Sequence, residues 1–505
     1  MPSLRSLSAQ MPNIPVTYLG SQARAMVGRS GACMGAVGLV LVACSPHDVV
    51  QDPKPPIALP DSFGEENPQV APAKASAAKG SDRWWAAFED PGLTHLVDLA
   101  FEGSFDLQAA WARLSQAYAN ADIAGAPRFP TLGLSAGAAR NFTPARNPRS
   151  LITGSHVNSA SASLNAGYEL DLWAKLGSGA KAAELDRVAA FDTVQAMAMT
   201  LSAEVAEAWY DLVASRARRK VLVSQLETNR TFVELLELRF AQGQASPVEV
   251  NQQRQQVLGN HAALEQQAAA EHVLLHRIAL LLGRVPERLD VGHRDQLPGL
   301  PALPEAGVPS DLLKRRPDLR AAQRRVEAAD HRIAVAVADR YPSISLSGAI
   351  SSEPSDFNNM LLDPLWNLAA NLALPIIDGG RRRAEVDRRR AMMAEAVADY
   401  GNAVLGALIE VENALVQERQ QHATITHVEE RLAVSTRTLE QARQRYGQGL
   451  SDFLTVLTAL RSQQEVELSL LDARRQLLSH RIQLCRALGG TWSERLQAPP
   501  AQESS

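Results

Sequence analysis

The residues of this chain that could do chemistry are few and widely spaced. His272 and His276 lie four positions apart on a predicted helix, a spacing that can bind zinc, but no His-Glu-x-x-His pattern and no third ligand accompany them. The sequence also contains no glycine-rich phosphate loop and no Ser/His/Asp signature. We therefore expect a protein that is not an enzyme and that has no catalytic residue, metal or cofactor.

Cys44 has the setting of a modification site. It closes a segment in which Arg24 and Arg29 precede an apolar stretch over 32–42, as in a secretory signal, and that stretch is shorter than the roughly 20 residues of a transmembrane helix. The run Leu41-Val-Ala-Cys44 resembles the lipobox of bacterial lipoproteins, whose cysteine becomes the acylated first residue. We expect a signal peptide over 1–43 and a lipid on Cys44; an ordinary signal peptide with an incidental cysteine is the alternative.

Composition excludes one class of partner and locates two polar segments. A net charge of −4 over 505 residues gives nucleic acid no basic surface. Residues 44–80 are rich in Pro, Ala, Lys and Asp without periodicity, so we interpret them as a tether between the lipid and the folded body. Residues 493–505 form a polar tail. Cys485 has no partner for a disulfide and is interpreted as a small buried apolar residue.

The chain also repeats itself. Glu204-Val205 returns as Glu410-Val411, and the block from Arg239 to Gly243 returns as the block from Arg445 to Gly449, in each case after 206 positions. Upstream of these blocks the step is 212 positions, as for Asp106 and Asp318. This period is far longer than that of a solenoid. We predict a first repeat over 81–290, a linker over 291–309 and a second repeat over 310–492.

Each repeat contains one very long predicted helix. Residues 180–242 include neither glycine nor proline, and the equivalent segment carries apolar residues at alternating steps of four and three, such as Met393, Val397, Tyr400 and Val404. Sustained seven-residue spacing indicates a left-handed coiled coil. Glycines tolerate the conformation that ends a helix, so we place turns at Gly243 and Gly449. The predicted hairpins cover 177–283 and 380–489.

Two alternating segments precede each hairpin, over 129–172 and 341–378. We expect strands of about ten residues with one apolar face, the pattern of an outer-membrane barrel. Aromatic residues lie near their ends: Phe129, Tyr168, Tyr341 and Trp366. A soluble sandwich is the alternative, but the lipobox favours the barrel. Four strands cannot close a barrel, because single-chain barrels begin at about eight, so the chain must oligomerise.

Several blocks together resemble the TolC-like outer-membrane factor family, and within it the acylated efflux lipoproteins of the OprM and NodT type. The resemblance covers most of 84–492. The blocks that carry it are Tyr168-Glu-Leu-Asp-Leu-Trp-Ala, Leu201-Ser-Ala-Glu-Val-Ala, Leu312-Leu-Lys-Arg-Arg-Pro-Asp-Leu, Tyr341-Pro-Ser-Ile-Ser-Leu, Pro375-Ile-Ile-Asp-Gly-Gly-Arg, Val411-Glu-Asn-Ala-Leu and Ala487-Leu-Gly-Gly-Thr-Trp.

The resemblance implies a fold that is mainly α with a β-barrel: three chains supply twelve transmembrane strands and a twelve-helix periplasmic tunnel. It implies a lipid-anchored, outer-membrane-spanning homotrimer. Its partners would be a periplasmic adaptor and an inner-membrane transporter of the resistance-nodulation-division type. The function would be passive passage of drugs or other small toxic compounds out of the cell. Protein secretion through the same fold is the alternative, and a structural envelope coiled-coil lipoprotein is a weaker one.

The gate of such a channel would lie just past the hairpin turns. Asp452, Thr455, Thr458 and Arg461 follow the second turn at steps of three, and Glu249 follows the first. The family usually has acidic residues at the positions of Thr455 and Thr458, so an acidic ring is not expected there. We expect closure through Asp452, Glu249 or apolar contacts, and release when the adaptor contacts the tips at Gly243 and Gly449.

Overall fold

The computed structural model describes residues 45–64, 83–145, 153–286, 290–304, 307–352 and 364–490. The predicted signal peptide, Cys44 and the predicted tail 493–505 lie outside the described residues. None of the helices in the described ranges is both long enough and apolar enough to cross a membrane.

The two halves of the chain have the same order of elements. The first contains helices α1 (Pro91–Gly103) and α2 (Phe105–Gly125), strands β1 (Thr131–Ala145) and β2 (Thr153–Leu170), and helices α3 (Lys175–Ala241) and α4 (Pro247–Leu281). The second contains α5 (Leu312–Arg315), α6 (Pro317–Ala338), β3 (Ser343–Ser352), β4 (Leu365–Ala373), α7 (Arg381–Gly447) and α8 (Phe453–Ala487).

The long hairpins have equal dimensions in the two halves. Helices α3 and α7 are each 67 residues long, and α4 and α8 are each 35. At about 1.5 Å per residue, the longer pair extends about 100 Å. The predicted fold of duplicated long hairpins is confirmed, and each helix ends within a few residues of the predicted turn.

The strands form one antiparallel sheet in the order β1-β2-β3-β4, so β2 and β3 join the two halves. One row of cross-strand partners is apolar throughout: Leu134, Leu164, Ile350 and Trp366. The neighbouring row on the opposite face includes Ser135, Ser163 and Ser351. The predicted one-sided apolar pattern is therefore confirmed.

The first strand pair is longer than the predicted ten residues, at 15 and 18 residues. Its pairing continues beyond the apolar stretch through Arg140 with Asn158 and Phe142 with His156. Apolar alternation detects only the part of a strand that has an apolar face, so it missed this polar extension.

The segment from 45 to 64, hereafter the strap, lies within the predicted tether over 44–80. The strap packs against the second repeat. Phe63 is only 2% exposed, in a cluster with Tyr400 and Val404 of α7. The prolines of the strap keep it extended, so its contacts come from isolated apolar residues and leave no periodic signal.

Candidate functional site

Both hairpin turns have the same backbone geometry. Gly243 and Gly449 have φ values of +73° and +75°, in the left-handed region. The amide after each glycine bonds back into the helix: Gln244 N donates to Arg239 O at 2.8 Å, and Leu450 N to Arg445 O at 2.8 Å. This is the Schellman arrangement. Among the described residues other than its chain neighbours, none would come within 4 Å of a side-chain carbon at either glycine.

The return helices begin with side-chain caps that use both predicted gate acids. Ser246 and Glu249 form a reciprocal capping box at the start of α4, in which Ser246 N donates to Glu249 Oε2 at 2.6 Å. Asp452 caps α8 and accepts from Thr455 N at 3.1 Å. The hydroxyl and amide of Thr455 lower the pKa of Asp452. In the chain as described, both carboxylates therefore bond within their own helix start.

The remaining predicted gate residues lie on one exposed face of α8 with Asp452. Thr455 Oγ1 donates to Asp452 at 2.6 Å, and Thr458 Oγ1 donates to Leu454 O at 2.8 Å. Arg461 reaches the other hairpin, where its Nε donates to Gln256 Oε1 at 2.8 Å. Within the chain, Asp452 and Glu249 are engaged in caps, and Arg461 bonds to Gln256.

Aromatic contacts that the sequence reading missed connect the hairpins near their tips. The Arg239 guanidinium lies 4.4 Å from the Tyr446 ring centre, and that of Arg443 lies 4.8 Å from Phe232. Phe453, 1% exposed, packs against Tyr446 with ring centres 5.6 Å apart. Burial raises the pKa of Tyr446, as does the nearby Glu249 carboxylate. The repeated Arg-aromatic block was visible in the sequence, but its pairing across hairpins was not.

A layer of buried amides lies deeper along the hairpins. Gln253 Nε2 donates to both Asn229 O and Asn229 Oδ1 at 3.0 Å. Asn229 Nδ2 approaches Gln464 Oε1 at 3.4 Å, which brings α8 into the layer. Gln253 and Asn229 are fully buried, and Gln253 Oε1 has no hydrogen-bond partner among the described residues. Buried amides of this kind set the register between helices.

A carboxylate accepts backbone hydrogen bonds at the beginning of each long helix, next to the end of the sheet. Asp171 accepts from Leu176 N at 3.0 Å and from Gly177 N at 2.7 Å, at the beginning of α3. Asp378 accepts from Gly380 N at 3.0 Å and from Arg382 N at 3.2 Å, at the beginning of α7. These backbone bonds lower the pKa of Asp378. The strand-to-helix turns therefore use the same device in both halves.

Trp173 and Asp339 connect the two halves of the chain where the sheet meets the long helices. Trp173 Nε1 donates to Pro342 O at 2.7 Å, and its ring lies 4.9 Å from that of Tyr341. Asp339 accepts from Lys175 of the first half at 3.2 Å and from Arg382 of the second at 3.1 Å. These contacts hold the sheet in a fixed relation to both hairpins.

The Lys314-Arg-Arg-Pro-Asp block owes its structural role to Arg316. The guanidinium contacts Asp318 Oδ2 and Glu410 Oε2, each at 2.7 Å, and donates to Ala487 O at 3.2 Å. The block thereby connects the start of α6 to α7 and to the end of α8.

The two histidines with a possible metal-binding spacing, His272 and His276, are both exposed. No group of three potential ligands suited to a metal occurs among the described residues.

A one-sided apolar sheet mounted on duplicated coiled-coil hairpins defines an outer-membrane channel subunit. The chain belongs to the outer membrane efflux protein family, whose model matches residues 96–284 and 308–490. It is an outer-membrane protein with a helical periplasmic body, as the TolC-like resemblance predicts.

Similar proteins extend along nearly the whole chain. The pyoverdine export outer membrane protein OpmQ of Pseudomonas aeruginosa is 34% identical over 442 residues, which are 83% of this chain and 90% of that protein. The toluene efflux pump outer membrane protein TtgI of Pseudomonas putida is 29% identical, over 80% of this chain and 87% of its own length. Among solved structures, the outer-membrane channel OprN superimposes with a TM-score of 0.81 at 29% identity, over 89% of this chain and all of OprN.

Proposed function

We propose that this chain forms a homotrimeric outer-membrane exit channel of a tripartite pump. It receives small organic molecules from an inner-membrane transporter, of the resistance-nodulation-division type, through a periplasmic adaptor. The observation that carries the proposal is the open four-stranded sheet. Its apolar face includes Leu134 and Trp366, which are 78% and 79% exposed in the single chain.

The two free edges of the sheet support closure between copies. β1 leaves the helical end of the sheet and β4 returns to it, so β1 of one copy can pair with β4 of the next in antiparallel fashion. Open edges are not tolerated in hydrocarbon, because their amides and carbonyls have no water to bond. Three copies would supply twelve strands, within the range of known barrels.

The relatives support small molecules as cargo. OpmQ is named for the export of pyoverdine and TtgI for a toluene efflux pump. Both names describe outward movement of small organic compounds, which favours this class of substrate over secreted proteins. The chain itself supplies a passive conduit in this scheme, and the energy comes from the inner-membrane transporter.

Two sites complete the proposal. Cys44 carries the lipid that anchors the mature chain in the outer membrane. The tips at Gly243 and Gly449 receive the adaptor, and the exposed face of Asp452, Thr455, Thr458 and Arg461, together with Glu249, borders the constriction. The cation–π contacts and the Arg461–Gln256 bond support closure at this level, since they hold both hairpins of a protomer together, and the caps fix the start of each return helix.

Cysteine pairs placed along β1 and β4 test the channel. We expect oxidation in outer membranes to yield covalent species of up to three chains, and reconstituted protein to conduct ions. Leu134→Arg should abolish membrane insertion, because a cation facing lipid costs about 2–4 kcal/mol at mid-membrane. The matched variant Ser135→Arg, on the opposite face, should insert. A monomer that inserts and conducts, or equal insertion of both variants, would contradict the proposal.

A further inference from the structure

A buried carboxylate of the second repeat binds the strap a few residues after Cys44 in the sequence. Its contacts with His47 and Val50 are hereafter the grip. Asp330 of α6 has a side chain that is only 4% exposed. One of its oxygens lies 2.7 Å from His47 Nε2, and the other accepts from Val50 N at 2.7 Å. A carboxylate taken out of water must be satisfied by hydrogen bonds, so both oxygens are committed to the strap.

The strap continues from α6 onto α7. Gln323 of α6 bonds to the Pro53 carbonyl at 3.4 Å. Pro56 packs so closely on Gly401 of α7 that a side-chain carbon there would come within 2.7 Å of Pro56 Cγ. At the far end, Gly64 N donates to Glu412 Oε1 at 2.7 Å. The strap is therefore held at several points along its length.

The first repeat lacks the gripping carboxylate. The step of 212 positions places Tyr118 where the second repeat has Asp330. Tyr118 has a different partner, since its ring lies 4.6 Å from the Arg187 guanidinium. Only one of the two otherwise similar halves can hold the strap in this way.

The spacing between Cys44 and the grip matches the distance to the sheet. His47 follows Cys44 by three positions, a step that can span about 10 Å when extended. Ala338 at the end of α6 follows Asp330 by eight positions, which is about 12 Å of helix. Tyr341 and β3 follow directly. An extended segment from Cys44 to His47 therefore reaches the level at which the apolar face of the sheet begins.

We propose that the contact of Asp330 with His47 and Val50 positions the lipid of Cys44 beside the helical end of the sheet, on the side of the second repeat. The acyl chain then enters the same leaflet that surrounds the base of the barrel. This inference rests on the acylation of Cys44 and on the membrane-spanning sheet of the proposed function. Asp330 and His47 are positioning residues for the anchor.

The first experiment measures hydrogen exchange of strap residues 47–64 in protein purified from outer membranes. Asp330→Ala should speed exchange at Val50 at least tenfold, while Gly64 N stays protected by its bond to Glu412. Asp48→Ala removes an adjacent exposed charge and should have no effect. Equal protection in Asp330→Ala and the native chain would overturn the grip.

The second experiment shortens the segment between Cys44 and His47 by deleting Ser45 and Pro46. The deletion is made in the acylated form and in a form that is exported with a conventional leader and has no lipid. We expect the lipid to pull the strap from Asp330, so exchange at Val50 rises in the acylated form alone. The same result in both forms would overturn the positioning role. Mass spectrometry of the mature amino terminus reads acylation separately, so its failure is distinguishable from failure of the grip.

Discussion

Arg461 of the second hairpin donates from Nε to Gln256 Oε1 of the first hairpin at 2.8 Å. The bond connects the two return helices, α8 and α4, farther from the turns than the contact of Phe453 with Tyr446. A charged side chain held by a neutral amide can be released without leaving an unpaired opposite charge. It is therefore suited to a contact that must open when a partner docks.

Removal of this contact should loosen the tips. We expect Arg461→Met to raise single-channel conductance in planar bilayers without adaptor, because one tie between the hairpins is lost. An intramolecular hydrogen bond contributes about 0.5–1.5 kcal/mol net, and a trimer would contain three copies of it. Arg437→Met, on an exposed part of α7, serves as the control. Equal conductance of the two variants would assign closure to the aromatic contacts instead.

The two capping carboxylates should also matter for closure. Asp452→Ala combined with Glu249→Ala removes the side-chain acceptors at the starts of α8 and α4, so we expect frayed tips and higher conductance. Asp452→Asn combined with Glu249→Gln keeps acceptors in place and should stay closed. Unchanged conductance in the double alanine variant would show that the caps do not support the gate.

Acid should act through the same cap. The pKa of Asp452 is lowered from its ordinary 3.8, so the stabilisation is fully present above that value. It is lost only as the pH falls below 3.8 and through the lowered pKa. We expect the stability of the tips to be independent of pH between 5 and 8 with respect to this group and to fall in strong acid, where the protonated cap accepts more weakly. In Asp452→Asn the strong-acid component should be absent.

Alanine at the tip glycines should destabilise both turns. Positive φ costs an L-residue about 1–2 kcal/mol, so Gly243→Ala and Gly449→Ala should lower the urea midpoint of the tip region. Gly259→Ala lies inside α4 with no atom within 4 Å of the added carbon. That control should instead gain about 0.5–1 kcal/mol, since alanine is the better helix former. The same sign for all three variants would contradict the assigned backbone geometry.

The buried pair of Arg481 and Glu418 should be costly to break from one side. Both side chains are at most 4% exposed, and Arg481 Nε donates to Glu418 Oε1 at 2.9 Å. Arg481→Met leaves a buried carboxylate unpaired, with an expected loss of about 3–5 kcal/mol in unfolding free energy. The double variant with Glu418→Leu should recover most of it. The exposed pair Arg474–Glu429 is the control, at less than about 1 kcal/mol.

Cys485 should be inert in the folded protein. Burial raises the pKa of its thiol to about 12. Thiolate is the reactive form, so the raised pKa leaves little of it at pH 8. Maleimide should label native protein far more slowly than unfolded protein. Thr436→Cys, at an exposed position of α7, gives the reference rate, and comparable labelling of Cys485 would show that its site opens readily.

The parts of this molecule that follow from local chain properties were predictable. The absence of glycine and proline from 180–242 defines most of α3, and period-two alternation places Leu134 and Ile350 on one sheet face. Ser246-x-x-Glu249 is also a local signature, that of a capping box, and it predicts the cap at the start of α4. The place of Glu249 at the gate stays a prediction.

Contacts between distant segments could not be predicted in this way. Nothing near His47 in the sequence indicates Asp330, and nothing near Arg461 indicates Gln256. Such pairs depend on how helices lie side by side, which one sequence does not encode locally. The strap shows this most clearly, because an extended segment with five prolines has the composition of a linker whether or not it packs against a surface.

The pairing of β2 with β3 governs the order in which this chain can fold. Leu170 pairs with Ile344, and the whole first hairpin lies between them in the sequence. The strand pair β1–β2 closes locally, whereas the second ladder must wait until the second repeat has left the ribosome and crossed the inner membrane. Contacts this distant in sequence form slowly. During that interval β2 has an unpaired edge, and an unpaired strand edge can pair with another chain.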